Sequence, residues 1–136
     1  MATPFLLDSD TCIRFLNGRS PSIEQRLAAT TPSSVKLCSI VKAELLYGAA
    51  RSINPFAVRA KLELFFAPYA SFPFDDSAAV EYGHIRGELA RAGTPIGPND
   101  LMIAAIALNR RLTLVTHNTR EFSRVAGLLM EDWETA

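Results

Sequence analysis

Cysteine is scarce in this chain: Cys12 and Cys38 are the only two, each inside an otherwise apolar segment. They make neither a disulfide framework nor a CxxC pair, and both read as small buried apolar side chains in a reducing cytosol. Long apolar runs are missing as well. The longest, Leu101 to Leu108, is far short of the roughly 20 residues that cross a bilayer, so no membrane partner is expected. The first seven residues carry no lysine or arginine and lead straight to Asp8, so no secretory n-region is expected and the protein reads as cytoplasmic. Net charge is absent too: fourteen Lys plus Arg offset fourteen Asp plus Glu, leaving no global field to draw in nucleic acid. Lysine is confined to Lys36, Lys42 and Lys61, against eleven arginines. Arginine grips phosphate through paired N–H donors, which keeps local phosphate contacts open on a neutral protein. No linker, repeat or low-complexity tract interrupts the chain. What remains, 136 residues of which 49% are hydrophobic and 21% charged, is the make-up of one globular domain spanning residues 1–136.

Local patterns predict strands alternating with helices. Phe5-Leu6-Leu7 is a short apolar strand that stops at Asp8-Ser9-Asp10-Thr11, with a short helix following through Phe15. A second helix starts after Ser20-Pro21, where proline suits the first helical position. Val35 to Ser39 reads as a strand, and Ile40 to Ala50 as a helix capped by Ser39. Asn54-Pro55 opens a helix to about Phe66. Ser71 to Phe74 is the third strand, and Asp75, Asp76 and Ser77 offer caps to a helix that ends at Gly93. Gly97-Pro98 opens a helix through Leu108, Leu112 to Val115 is a strand, Asn118 starts a short helix, and Leu128 to Met130 is an edge strand. Such alternation belongs to an α/β fold with a parallel sheet covered on both faces, whose ligands sit outside the carboxyl ends of the strands.

That rule gathers five polar residues. Asp8 ends the first strand, Glu44 lies one turn into the helix after the second, Asp100 is in the first turn of its helix, and Asn118 and Glu121 follow the fourth strand. Glu44 shares an apolar stripe with Ile40, Val41, Tyr47 and Gly48; Asp100 leads at helical spacing to Ile103, Ala104 and Ala107. A buried carboxylate without a partner is costly, and a hard divalent cation such as Mg²⁺ or Mn²⁺ removes that cost. Asp10 is read as a cap of the first helix. Asn118-Thr119-Arg120-Glu121 matches a capping box, and a structural role for that pair stands beside a functional one. Thr116 is placed to steady a carboxylate or a water. Arg14, Arg86, Arg110 and Arg120 are candidates for phosphate contacts. His84 and His117 have no partner at metal-ligand spacing and read as surface or core histidines.

With these residues in place, the chain resembles the PIN-domain ribonucleases, and within them the VapC toxins of prokaryotic VapBC toxin–antitoxin pairs. The likeness runs almost end to end. It lies in Phe5-Leu6-Leu7-Asp8-Ser9-Asp10-Thr11, in Lys42-Ala43-Glu44-Leu45-Leu46-Tyr47-Gly48, and in Ile85-Arg86-Gly87-Glu88-Leu89 followed by Gly93-Thr94-Pro95-Ile96-Gly97-Pro98-Asn99-Asp100. Val115-Thr116-His117-Asn118-Thr119-Arg120-Glu121-Phe122 comes last, with a closing Glu131-Asp132-Trp133. The resemblance implies a three-layer α/β/α PIN-like fold with a central parallel sheet of four to five strands. It implies an endoribonuclease toxin using Mg²⁺ or Mn²⁺ at Asp8, Glu44 and Asp100, with a fourth polar or acidic residue. It also implies a cognate VapB-like antitoxin, an RNA substrate and a homodimer or higher toxin–antitoxin assembly. Asp10 stands where Asn, Ser or Thr is common in the family, and Asn118 where many members carry the fourth acid, so Asn118 and Glu121 both remain candidates for that place.

Two other functional classes share part of this pattern. A haloacid-dehalogenase-like phosphatase would use Asp8 as nucleophile and Asp10 as acid/base, but it needs a lysine in the second half of the chain, and none follows Lys61. A decayed, non-catalytic PIN domain that binds RNA or protein has Asn118 as its one support. A last feature concerns partners: Phe56, Leu62, Leu64, Phe65 and Phe66 crowd one helix beyond what a single core face absorbs, which predicts a covering chain.

Overall fold

Residues 3–134 are described in the computed structural model. Strand β1 (Phe5–Leu7) leads through Asp8 into helix α1 (Ser9–Leu16), then α2 (Pro21–Ala29) and a single 3-10 turn at Pro32–Ser34. Strand β2 (Val35–Cys38) is followed by α3 (Ser39–Ala50) and α4 (Pro55–Phe66), and β3 (Ala70–Phe72) by α5 (Asp76–Ala92) and α6 (Pro98–Arg110). Strand β4 (Thr113–Val115), the short α7 (Thr119–Phe122) and β5 (Met130–Glu131) close the order. The five strands are all parallel, in the order β3-β2-β1-β4-β5. Neighbouring residues on a strand point to opposite faces, yet Leu6, Leu7, Leu37, Cys38, Leu114 and Val115 are all buried. Both faces of the sheet are therefore covered by helices, and the expected α/β fold is what forms.

The helix starts follow the local chemistry. Proline opens α2, α4 and α6, and the side chains of Ser20, Asn54 and Asp75 accept a backbone N–H at the starts of α2, α4 and α5. Three expectations are corrected. Ser39 is the first residue of α3 and not its cap; Cys38 holds the cap position without a side-chain bond. Asp8, not Asp10, caps α1, its Oδ1 accepting the Thr11 N–H at 2.9 Å. Strand edges shift by a residue or two, and the 3-10 turn at Pro32–Ser34 joins the predicted elements.

Strand order positions the site. From the central β1 the chain goes to β2 on one side, while β4 lies on the other, with Phe5 between Val35 and Thr113. Asp8 stands just past that division, at the carboxyl end where open parallel sheets bind ligands. Helix α6 packs along α5 and buries Leu101, Ile103, Ala104 and Ala107, which fixes its first turn over the same rim. Trp133 closes the β5 side: it is buried, meets Phe5 edge-on at 5.1 Å and lies under the Arg26 guanidinium.

Candidate active site

Asp8 is only 5% exposed. Its N–H continues the β1–β4 ladder by donating to the Val115 carbonyl, and its carboxylate accepts from Thr11 N–H and from the Thr116 hydroxyl. Burial nevertheless pushes its pKa up, and those hydrogen bonds pull the other way. Thr116 is fully buried at the end of β4, and its Oγ1 also accepts the Asn118 N–H at 3.0 Å. One hydroxyl thus ties Asp8 to the loop that carries Asn118.

Asp100, half-buried in the first turn of α6, has its pKa raised to about 7. Burial is the largest cause, followed by the charges of Glu121, Glu44 and Asp8 and a hydrogen bond to Glu121. Four acids from four separate elements therefore act on one spot. Glu121 is held low by the Asn118 amide, by the Gly97 N–H and by that bond with Asp100. Its Oε1 accepts from Gly97 N–H at 3.2 Å and its Oε2 from the Asn118 amide at 3.0 Å. The capping box is accordingly not formed. Asn118 occupies the cap position of α7, but its side chain makes no cap bond there and donates to Glu121 instead. Glu44 is half-buried on α3, and its Oε1 is shut off from solvent with no hydrogen-bond partner among the described residues.

This geometry fits a hard cation. An orphaned buried carboxylate oxygen, a carboxylic acid that holds its proton near neutrality, and two more oxygen donors beside it are the surroundings that Mg²⁺ or Mn²⁺ relieves. Without a cation the same crowding stores a proton on Asp100, donated toward Glu121.

The remaining residues fall around this centre. Asp10 is exposed, and with Arg14, Arg19, His117, Asn118 and Glu134 it lines a groove of about 430 Å³. Arg14 Nε pairs with Glu134 Oε1 at 3.0 Å. Arg86 bonds the Tyr82 hydroxyl and lines another cleft with Leu89, Pro98 and Leu101. Arg110 is tied to Asp75 at 2.9 Å and lies over Phe72, ten residues and about 15 Å of helix from Asp100. Arg120 is exposed beside Glu121. His84 makes an i,i+4 contact with Glu88. His117 is a surface residue, as expected, but it has acidic partners: its Nδ1 faces Asp132 Oδ2 at 2.9 Å and Glu134 Oε2 at 3.2 Å. Local spacing gave no hint of those partners, fifteen and seventeen residues away on the far side of β5.

Comparison with known proteins agrees with the geometry. The PIN domain family model matches residues 5–128. The tRNA(fMet)-specific endonuclease VapC of Salmonella typhimurium is 43% identical over 129 residues, covering 95% of this chain and 97% of that protein. Among solved structures, DNA-bound VapBC from Salmonella typhimurium superposes with a TM-score of 0.91 at 41% identity, over 97% of this chain and 99% of that one. VapBC2 from Rickettsia felis, bound to a promoter DNA fragment, gives 0.88 at 33% identity over 95% and 98%. No helix among the described residues is long and apolar enough to cross a membrane. The phosphatase reading falls with this match and with the exposed position of Asp10. A parallel sheet with four acids at its carboxyl rim and this end-to-end likeness place the chain in the PIN-domain family, among the VapC ribonuclease toxins of VapBC toxin–antitoxin systems.

Proposed function

We propose that this toxin is a Mg²⁺- or Mn²⁺-dependent cytoplasmic endoribonuclease in which Asp8, Glu44 and Asp100 hold the metal and Glu121 is the fourth acid. The observation that carries the reading is the buried, unpartnered Glu44 Oε1 facing the same locality as Asp100. When bound, a divalent cation supplies Lewis-acid neutralisation of the charge that builds on a scissile phosphate, and it acidifies water. The chain's own residues do the positioning. Thr11 N–H and the Thr116 hydroxyl fix the Asp8 carboxylate, and Asn118 and Gly97 fix Glu121 so that it stays ionised beside Asp100. Asp100 releases its proton near neutral pH, where Glu121 is already a carboxylate. The 43% identical relative is named for tRNA(fMet), which makes initiator tRNA the first substrate to offer.

A VapB-like antitoxin is proposed to occupy the groove of about 390 Å³ between α1, α3 and α4, lined by Leu16, Leu45, Val58 and Leu62 and reaching Glu44. Its apolar wall suits an amphipathic segment, and the orphaned Glu44 oxygen suits a basic side chain from it. Phe56 and Leu64 of α4 are 90% and 78% exposed, which supports a second copy or the antitoxin on that helix, with a homodimer as the free state. The test is cleavage of initiator tRNA by the purified chain with Mn²⁺, with EDTA, and with added antitoxin. Cleavage that persists in EDTA removes the metal reading; a strict monomer that stays soluble without antitoxin removes the partner reading.

A further inference from the structure

We infer that Arg14 and His117 form a phosphate-binding subsite for the RNA strand beside the acidic centre, and that Glu134 and Asp132 occupy it as internal competitors. The inference rests on the endoribonuclease reading and extends it to how the strand is held. Arg14 comes from α1 and His117 from the loop after β4, yet both turn to one carboxylate. Glu134 Oε1 lies 3.0 Å from Arg14 Nε, and its Oε2 lies 3.2 Å from His117 Nδ1. A single anion with two oxygens, one facing the Arg14 guanidinium and the other the His117 imidazole, is the arrangement that two non-bridging phosphate oxygens require. Asp132 adds a second carboxylate to His117 at 2.9 Å.

The subsite is continuous with the chemistry. The groove that holds Arg14, Arg19 and His117 is also lined by Asn118, whose amide bonds Glu121, which in turn bonds Asp100. On this inference a strand with its scissile phosphate at the acids has a neighbouring phosphate in the groove, next to Asn118. Asp10 and Glu134 are the groove's own carboxylates, so its charge is poised between three basic and two acidic groups. The competitor is delivered from a fixed stem. Trp133 is buried, and its carbonyl accepts the Ser22 hydroxyl at 2.7 Å. A cation held by His117, Asp132 and Glu134 is less favoured, because the Arg14 guanidinium already takes one of the Glu134 oxygens.

The test measures binding of fluorescein-labelled initiator tRNA to the full chain in EDTA, over a series of KCl concentrations. Arg14→Gln, and His117→Gln on the acid side of neutrality where the imidazole is protonated, are each expected to weaken binding about fivefold to tenfold and to flatten the log Kd–log salt slope by about 0.7 to 0.9 per lost contact. Glu134→Gln is expected to tighten binding by a similar factor. Melting curves confirm that each variant folds, and Arg14→Lys, which keeps charge at the position, is expected to restore most of the salt slope. Unchanged slopes overturn the inference. So does weaker binding by Glu134→Gln, which would make the cluster a scaffold or a cation site. Cleavage by the unmodified chain in Mn²⁺ is followed in parallel: an inert enzyme sinks the nuclease reading, whereas active enzyme with unmoved slopes sinks the subsite alone.

Discussion

Replacing Asp100 by Asn separates the electrostatics of the acidic centre from its shape. In the folded chain Asp100 has its pKa raised from 3.8 to about 7, mainly by burial and then by the charges of Glu121, Glu44 and Asp8. The folded state therefore binds a proton that the unfolded chain has released. Stability from this group is fully present below about pH 4 and is lost as pH rises through about 7. About three pKa units would be about 4 kcal/mol at 1.36 kcal/mol per unit. Asp100 is only half-buried, and solvent screening reduces the figure to about 1–2 kcal/mol. Asn keeps the shape and a donor toward Glu121 but has nothing to titrate. In EDTA, Asp100→Asn should match the parent near its acid limit and exceed it by about 1–2 kcal/mol at about pH 8, measured by urea unfolding. Adding Mg²⁺ should reverse the order, because binding to the folded parent stabilises it by mass action, about 2.7 kcal/mol at a hundredfold excess over Kd. RNA cleavage by the variant should fall by orders of magnitude. Equal pH slopes for parent and variant, or a Mg²⁺ response that survives in Asp100→Asn, would refute the reasoning.

Glu121→Gln keeps an oxygen for the Gly97 N–H but removes a charge beside Asp100, so Mn²⁺ titrations of cleavage should shift to higher concentration while the melting temperature barely moves. An unchanged titration would return Glu121 to a structural role. Arg111 ends α6 in the left-handed region at φ 56°, where a side chain is strained; Arg111→Gly should stabilise by about 0.5–1 kcal/mol, read by chemical denaturation. Trp133→Ala deletes a buried ring, its edge contact with Phe5 and its indole bond to Glu131, and should cost about 3–5 kcal/mol in urea unfolding.

The fold was readable because its determinants are local. Proline at the first helical positions of α2, α4 and α6 and the Asn54 and Asp75 caps each act within three or four residues of chain, and short apolar runs mark the strands. Where local signals compete, the reading slips. Asp8 and Asp10 both suit a helix start, and what decides is that Asp8 ends the β1–β4 ladder, with its N–H bonded to Val115. Ser39 looks like a cap, but β2 stops one residue earlier, leaving Ser39 already helical. Neither pairing is written in the neighbouring residues.

The acidic centre was legible for a different reason. Glu44 and Asp100 are charged residues on apolar stripes, and such a contradiction between chemistry and position can be seen without knowing what lies opposite. What could not be seen is how the loop after β4 is wired. Asn118-Thr119-Arg120-Glu121 satisfies the capping-box pattern, and in isolation Asn118 would accept from an early backbone N–H. The fold offers its amide a stronger partner. Glu121 is drawn toward the start of α6 by Gly97 N–H, and the Asn118 amide follows it as a donor at 3.0 Å. This reverses the meaning of the neutral residue at that position. A carboxylate at 118 would sit against an ionised Glu121, whereas the amide holds Glu121 charged and aimed at Asp100. The fourth acid and its neutral neighbour work as one unit, with Asn118 supplying the hydrogen bond and Glu121 the charge.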